Sequence, residues 1–225
     1  MPFTILAIAF SIALIFIVFS RFAVERVAQN HYAQRADFFC HYPVNEGDIV
    51  FLGDSITDGG AWEELLPGVP LKNRGINADD TLGVLKRLDE IVEAKPLAIF
   101  LLIGTNDLPW WTYRKDTDIL KTYDQILARC AELSPDTKVY VQSLLPRGKA
   151  YAQRIKKLNT ALEALTAKHA FHYVNLYPAF VDANGMLRAE LTNDRLHLMA
   201  EGYSIWVSII KPYIDDVKKL KFSAN

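Results

Sequence analysis

Ser55, His197 and Asp194 are the residue types that nucleophilic acyl transfer requires. A serine hydroxyl is a weak nucleophile until an imidazole takes its proton, and the imidazole serves best when a carboxylate fixes its tautomer. The spacing of Asp194 and His197 lets both share one turn, with the carboxylate reaching back to the ring Nδ1–H. Two further positions suit negative charge developing on a substrate oxygen. Asn106 brings a side-chain NH2 donor, and Gly75 a backbone N–H that a substrate can approach with no Cβ in the way.

Bringing these residues together requires elements that end where they stand. Ser55 follows Asp48-Ile49-Val50-Phe51-Leu52-Gly53-Asp54, an apolar run that stops in small and polar residues and reads as a strand covered on both faces. Gly75 closes a short second strand from Leu71, and Asn106 stands just beyond the strongest strand, Leu97 to Ile103. Lys138 to Ser143 and Phe171 to Leu176 make a fourth and a fifth. Helical periodicity fills the gaps. A short helix spans Ala61 to Leu66, and one capped by Asp79 or Asp80 carries Leu82, Leu85, Leu88, Ile91 and Val92 towards Pro96. Others run over Asp116–Leu133 and Ala152–Lys168, and a last one starts at Ala200 and is expected to kink or split at Pro212. Strands alternating with helices at this spacing predict right-handed βαβ units in an α/β, three-layer α/β/α domain with a five-stranded, mostly parallel, flavodoxin-like sheet. Ligands bind outside the carboxyl ends of such strands, where Ser55, Gly75 and Asn106 all fall.

Four blocks, in order, carry a family resemblance: Gly53-Asp54-Ser55, Gly75 within Asn73-Arg74-Gly75-Ile76-Asn77, Gly104-Thr105-Asn106-Asp107, and Asp194-Arg195-Leu196-His197. The chain from about Asp48 to Tyr213 resembles the SGNH hydrolases of the GDSL lipase/esterase superfamily, closest to the branch of lysophospholipase L1-like proteins and platelet-activating-factor acetylhydrolase catalytic subunits. The resemblance implies a serine esterase acting on short acyl esters, acetylated sugars or lysophospholipids. In it Ser55 is the nucleophile, His197 the general base and then acid, and Asp194 the orienting carboxylate, while Ser55 N–H, Gly75 N–H and the Asn106 amide form the oxyanion hole. It implies neither metal nor cofactor. Thr57 stands where a Gly-x-Ser-x-Gly elbow would need its second glycine, which sets the chain apart from α/β-hydrolases.

Other readings of the same residues compete. Asp54 and Asp107 could form a carboxylate pair for glycoside hydrolysis, or simply hold their loops. Gly59-Gly60 could cradle a phosphate in a nucleotide-binding module, although neither Gly-x-Gly-x-x-Gly nor a Walker loop is present. A membrane-tethered module without catalysis is a third option. Trp110 and Trp111 could line an acyl or sugar pocket or merely pack their loop. The remaining histidines, His31, His41, His169 and His172, have no matching partners in sequence. A net charge of −1 offers no general attraction to nucleic acid, and the cluster Arg147, Lys149, Arg154, Lys156, Lys157 reads as the wet face of a helix and its leading loop. Cys40 and Cys130 are too few for a disulfide framework, no Cys/His spacing suits zinc, and nothing specifies an oligomeric state.

The chain divides by composition into residues 1–22, 23–46 and 47–225. Phe3 to Phe19 carries no charged residue and would span about 25 Å as a helix, near the lower limit for crossing a bilayer. The expectation is an uncleaved single-pass anchor, with a cleaved signal peptide as the alternative, followed by a juxtamembrane linker or helix and then the hydrolase domain. Arg21, Arg26 and Arg35 after the run favour a cytoplasmic domain by the positive-inside rule, whereas tethered esterases commonly face outward; the outward side is the one expected.

Overall fold

The computed structural model describes residues 2–109, 112 and 114–223. Two compact units divide the chain, Met1–His41 and Tyr42–Asn225. The first is one helix, α1 (Pro2–His41), which runs unbroken through position 22 and stops two residues before Pro43, whose ring disfavours helical backbone in the residue ahead of it. Among the described residues no helix is long and apolar enough to cross a membrane, so the single N-terminal anchor expected from Phe3–Phe19 gains no support from the fold.

The second unit is built in chain order from β1 (Ile49–Gly53), α2 (Ser55–Asp58), α3 (Trp62–Leu65), β2 (Leu71–Gly75), α4 (Thr81–Lys86), α5 (Asp89–Val92), β3 (Ala98–Leu102), α6 (Asp116–Leu133), β4 (Lys138–Gln142), α7 (Ala152–Lys168), β5 (His172–Val174), α8 (Tyr177–Phe180) and α9 (Ala200–Ser223). The five strands lie in the order β2-β1-β3-β4-β5, and every pairing is parallel. Gly53 pairs with Gly75 and with Leu102, so the chain segments carrying Ser55, Gly75 and Asn106 leave the sheet at the same edge.

Alternation along the strands divides the core. Val50, Leu52, Ile99, Leu101, Val139 and Val141 meet the apolar sides of α4 to α7, including Ile119, Tyr123, Ile126, Leu127 and Cys130 of α6. On the other face Ile49, Phe51, Phe100 and Tyr140 pack with Trp62, Phe180, Trp206, Ile210 and Ile214. Both faces are therefore covered, which is why these strands read as continuous apolar runs rather than as alternating ones.

Two helices depart from expectation. The segment after Asp80 breaks in two at Arg87-Leu88, where the Arg87 side chain turns inward to Asp79 and to the Gly53 carbonyl (2.9 and 3.1 Å) while Leu88 is fully buried. Asp80 is the cap, its Oδ1 accepting from Gly83 N–H at 2.8 Å. The last helix continues through Pro212 instead of splitting there. Proline costs a helix interior about 3 kcal/mol. Here Pro212 lies on the exposed side, while Ile210, Ile214 and Val217 bury the opposite one on both sides of it, and that shared burial carries the helix past the missing bond.

Candidate active site

Ser55 is the first residue of α2, directly beyond β1. Asp54 caps this short helix, accepting from Ile56 N–H at 3.0 Å. Two rings, one buried and one half-buried, hold it from outside the turn: Trp62 Nε1 donates to Thr57 O and the Tyr203 hydroxyl to Ile56 O, both at 2.9 Å. A position so fixed presents Ser55 Oγ at 2.9 Å from His197 Nε2. Ser55 N–H, at the first helical position, has no partner within the helix.

The imidazole is set by the loop before α9. Asp194 Oδ2 lies 2.6 Å from His197 Nδ1, while Asp194 Oδ1 accepts from Leu196 N–H and His197 N–H at 2.9 and 2.8 Å. Arg195, between them, adopts φ +64°, a left-handed conformation that lets the chain fold back so tightly. Partial burial pushes the Asp194 carboxyl up, but hydrogen bonds from the His197 ring and the two backbone N–H groups outweigh it and hold the group at about 2. An ionised Asp194 keeps the proton on Nδ1, leaving the Nε2 lone pair to accept from Ser55 Oγ–H. Both side chains of the pair are 46 % exposed, so the site opens directly to solvent.

Asn106 stands in a one-turn 3-10 segment, Thr105–Asp107, that leaves β3 through Gly104 at φ +119°. Its Nδ2 donates to the Asp79 carbonyl at 2.9 Å, which fixes the amide orientation and leaves the second N–H for another acceptor. Asp107 anchors the turn from below, accepting from Thr81 Oγ1 (2.8 Å) and Thr81 N–H (3.1 Å) and pairing with Arg114 Nε at 3.0 Å.

Gly75 is placed differently from the sequence expectation of an open backbone donor. Its N–H donates to Asn73 Oδ1 at 2.9 Å, and a Cβ at this position would meet Asp58 N at 2.2 Å. The glycine is needed for close approach of α2, and its donor is already engaged. Three residues on, Ala78 has φ +63°, is exposed, and has no acceptor for its N–H among the described residues. It immediately precedes Asp79, whose carbonyl holds Asn106. Nothing in the residue type of Ala78 pointed to it; the signal is a backbone conformation that an alanine adopts only at a cost.

The competing readings meet specific obstacles. Asp54 and Asp107 are 1 % and 0 % exposed and are held by their own loops, out of reach of a substrate. Burial raises Asp54 to about 7 and Asp107 to about 6, and it also pushes up the nearby Asp79. At Gly59 and Gly60 the N–H groups already donate to Ser55 O and Thr57 O, and the Trp62 indole fills the space beside Gly60, leaving no phosphate cradle. His169 pairs with Asp124 at 2.6 Å and His172 stacks on Tyr140, both apart from the serine. Trp110 and Trp111 lie outside the described residues. Cys40 is exposed and Cys130 buried, and both are free thiols. Among the described residues, no group of three or more His, Cys, Asp or Glu is arranged to hold a metal.

The basic cluster requires one correction. Arg147 and Arg154 are not on a wet face: Arg154 reaches Asp116 at 2.6 Å and Leu108 O at 2.9 Å, while Arg147 donates to Thr105 O at 2.9 Å, beside Asn106. Their place after the carboxyl end of the fourth strand was the available hint.

Comparison with known proteins bears on the fold and the family. Bovine and human platelet-activating factor acetylhydrolase IB subunit alpha1 are each 30% identical over 169 residues, 71% of this chain and 71% of theirs. A solved Streptococcus pneumonia structure bearing the name platelet activating factor superposes with a TM-score of 0.75 at 27% identity, covering 85% of this chain and 96% of its own. A GDSL-like lipase from Bacteroides thetaiotaomicron gives 0.67 at 25% identity, covering 84% and 97%. The model of the GDSL-like Lipase/Acylhydrolase family matches residues 51–205, from the middle of β1 into α9, and the chain belongs to that family.

Proposed function

We propose that the chain hydrolyses carboxylic esters through an acyl-enzyme formed on Ser55. The observation that carries this is the continuous contact from Ser55 Oγ to His197 Nε2 (2.9 Å) and from His197 Nδ1 to Asp194 (2.6 Å). Ser55 Oγ attacks the ester carbonyl as its proton passes to Nε2; the C–O bond to the alcohol then breaks, and the imidazolium returns the proton to the departing oxygen. Water repeats the sequence against the acyl-enzyme, with His197 as base and Ser55 as leaving group. Asp194, held ionised, stabilises the imidazolium in both halves.

The tetrahedral oxygen takes its hydrogen bonds from Ser55 N–H and the free N–H of the Asn106 amide. For the third donor, the Ala78 N–H suits better than the Gly75 N–H first expected, because the latter is held by Asn73. Each such donor typically contributes about 3 kcal/mol to the transition state. Of the esters that the resemblance implies, short acyl esters are favoured by the acetylhydrolase name that the relatives carry.

A series of p-nitrophenyl esters of rising chain length, run beside acetylated sugars and lysophospholipids, tests the reading. Short-chain hydrolysis unaffected by EDTA, with a fluorophosphonate label on wild type but not on Ser55→Ala, is the expected result. Activity that vanishes on chelation and returns with zinc would refute the serine mechanism.

The uncharged run Phe3–Phe19 supports attachment of the first unit to a membrane, as do the exposed apolar side chains Phe10, Ile15, Phe16, Val18, Phe19 and Phe22. Full-length chain should then sediment with membranes, and a chain starting at Arg21 should not; equal partitioning of both would end this part of the reading.

A further inference from the structure

Arg147 sits in the loop between β4 and α7, and its place there is set on two sides. The guanidinium lies over the Tyr151 ring, 4.7 Å from its centroid, and the Arg147 carbonyl accepts from Leu187 N–H at 3.1 Å. The half-buried cation also acts electrostatically on both Asp54 and Asp194. Its Nη1 donates to the carbonyl of Thr105 at 2.9 Å.

That carbonyl belongs to the same peptide plane as the Asn106 N–H. A peptide is planar, so pinning Thr105 O fixes the plane from which the Asn106 Cα, and therefore its side chain, departs. The restraint matters because of what lies on either side. Upstream, Gly104 at φ +119° is the residue best able to let the turn swing. Downstream, the Asp107 contacts to Thr81 and Arg114, and Thr112 Oγ1 on the Asn106 carbonyl (2.7 Å), hold the far end of the turn, while at the near end the Leu108 N–H reaches the Thr105 carbonyl only at a long 3.4 Å and the Asn106 amide leans on the Asp79 carbonyl (2.9 Å). Among the described residues Thr105 Oγ1 is buried without a hydrogen-bond partner, so this side chain gives the near end no polar anchor.

We propose that Arg147 is a positioning residue for the oxyanion donor Asn106, acting through the Thr105 carbonyl. The proposal rests on the oxyanion role given to Asn106 above. Arg147 reaches across from the loop after β4 and aligns, before substrate arrives, a donor carried by the loop after β3.

A double-mutant cycle on p-nitrophenyl acetate, a neutral ester, tests it. Arg147→Ala should lower kcat by about 10- to 100-fold, the scale of a misplacement near 1 Å, and leave KM within about twofold. In the Asn106→Ala background the same substitution should change kcat by less than about threefold, since the group it positions is gone. Arg147→Lys, which keeps a charged donor, should recover most of the loss. If the two losses multiply while Asn106→Ala still lowers kcat, Arg147 does not act through Asn106 and the inference fails alone. If Asn106→Ala raises KM at unchanged kcat, the oxyanion reading itself has failed. A loss in Arg147→Ala confined to KM would make the residue a substrate contact and overturn the proposal. Should Arg147→Ala not fold, Arg147→Gln runs through the same cycle with the same outcomes.

Discussion

Replacing Asp54 with asparagine isolates the charge of a carboxyl that the fold has sealed in. Asp54 is 1 % exposed, and burial raises it from 3.8 to about 7, with the neighbouring Asp79 and Asp107 adding to the rise and Arg147 and the Ile56 N–H opposing it. Asparagine keeps the oxygen that accepts from Ile56 N–H, so the cap on α2 survives and only the ionisation is removed. A folded-state value above the unfolded one means that the native protein binds the proton more tightly. The stability this gives is fully present below about pH 4 and is lost as pH rises through about 7. A shift of roughly three pH units corresponds to on the order of 4 kcal/mol. Urea unfolding of wild type and Asp54→Asn across pH 4 to 9 should therefore show two curves that diverge as pH rises, the asparagine protein gaining on the wild type by a few kcal/mol between about pH 4 and 7 and by no more above it. Asp107, raised to about 6, titrates in the same window but is present in both proteins, so its direct contribution largely cancels in the difference. Parallel curves would show that Asp54 is ionised throughout in the native state, and the burial argument would be refuted.

Asp194→Asn should fold normally but hold the imidazole in the wrong tautomer, lowering kcat by up to about 10⁴-fold, as steady-state kinetics with a neutral ester would show. Ser55→Ala and His197→Ala should each remove most turnover, and the double variant should be little worse than either, because nucleophile and base act as one unit; losses that multiply would contradict that. At Ala78, glycine relieves the left-handed strain but loosens the unfolded chain. Ala78→Gly should thus keep kcat with a stability change of at most about 1 kcal/mol by urea titration, whereas the β-branched Ala78→Val should lower both kcat and stability. Gly75→Ala should destabilise by more than about 1 kcal/mol in the same titration, since the new methyl meets the Asp58 backbone.

The parts of the fold that periodicity encodes were legible. Continuous apolar runs at Ile49–Leu52 and Ala98–Leu102 required a sheet covered on both sides, and the helical stripes of α6 and α7 supplied one of those covers. What periodicity could not show was where a side chain overrides it. The stripe through Leu82, Leu85, Leu88 and Ile91 suits one helix, but Arg87 has three calls on its position, Asp79, the Gly53 carbonyl and the buried Leu88 beside it, and the helix breaks there. Pro212 was the converse case, a strong local breaker overruled by burial on both sides of it.

At the site the same division separates side chains from backbone. Ser55, Asn106, Asp194 and His197 could be named from sequence because their chemistry is in their residue types, and topology alone brings the ends of β1 and β3 together. A backbone donor carries no such mark. Glycine was the natural residue to choose for an unobstructed N–H, yet an N–H is useful to a substrate only if nothing within the protein has claimed it. Asn73 claims that of Gly75, while the left-handed turn at Ala78 leaves one unclaimed. Arg147 shows the same limit from the other direction. In sequence it sits among basic residues of a solvated face, and only the fold places its guanidinium on the carbonyl that precedes Asn106. Donor availability in a site of this kind depends on which polar groups the surrounding loops have already satisfied, and that is a property of the packed chain.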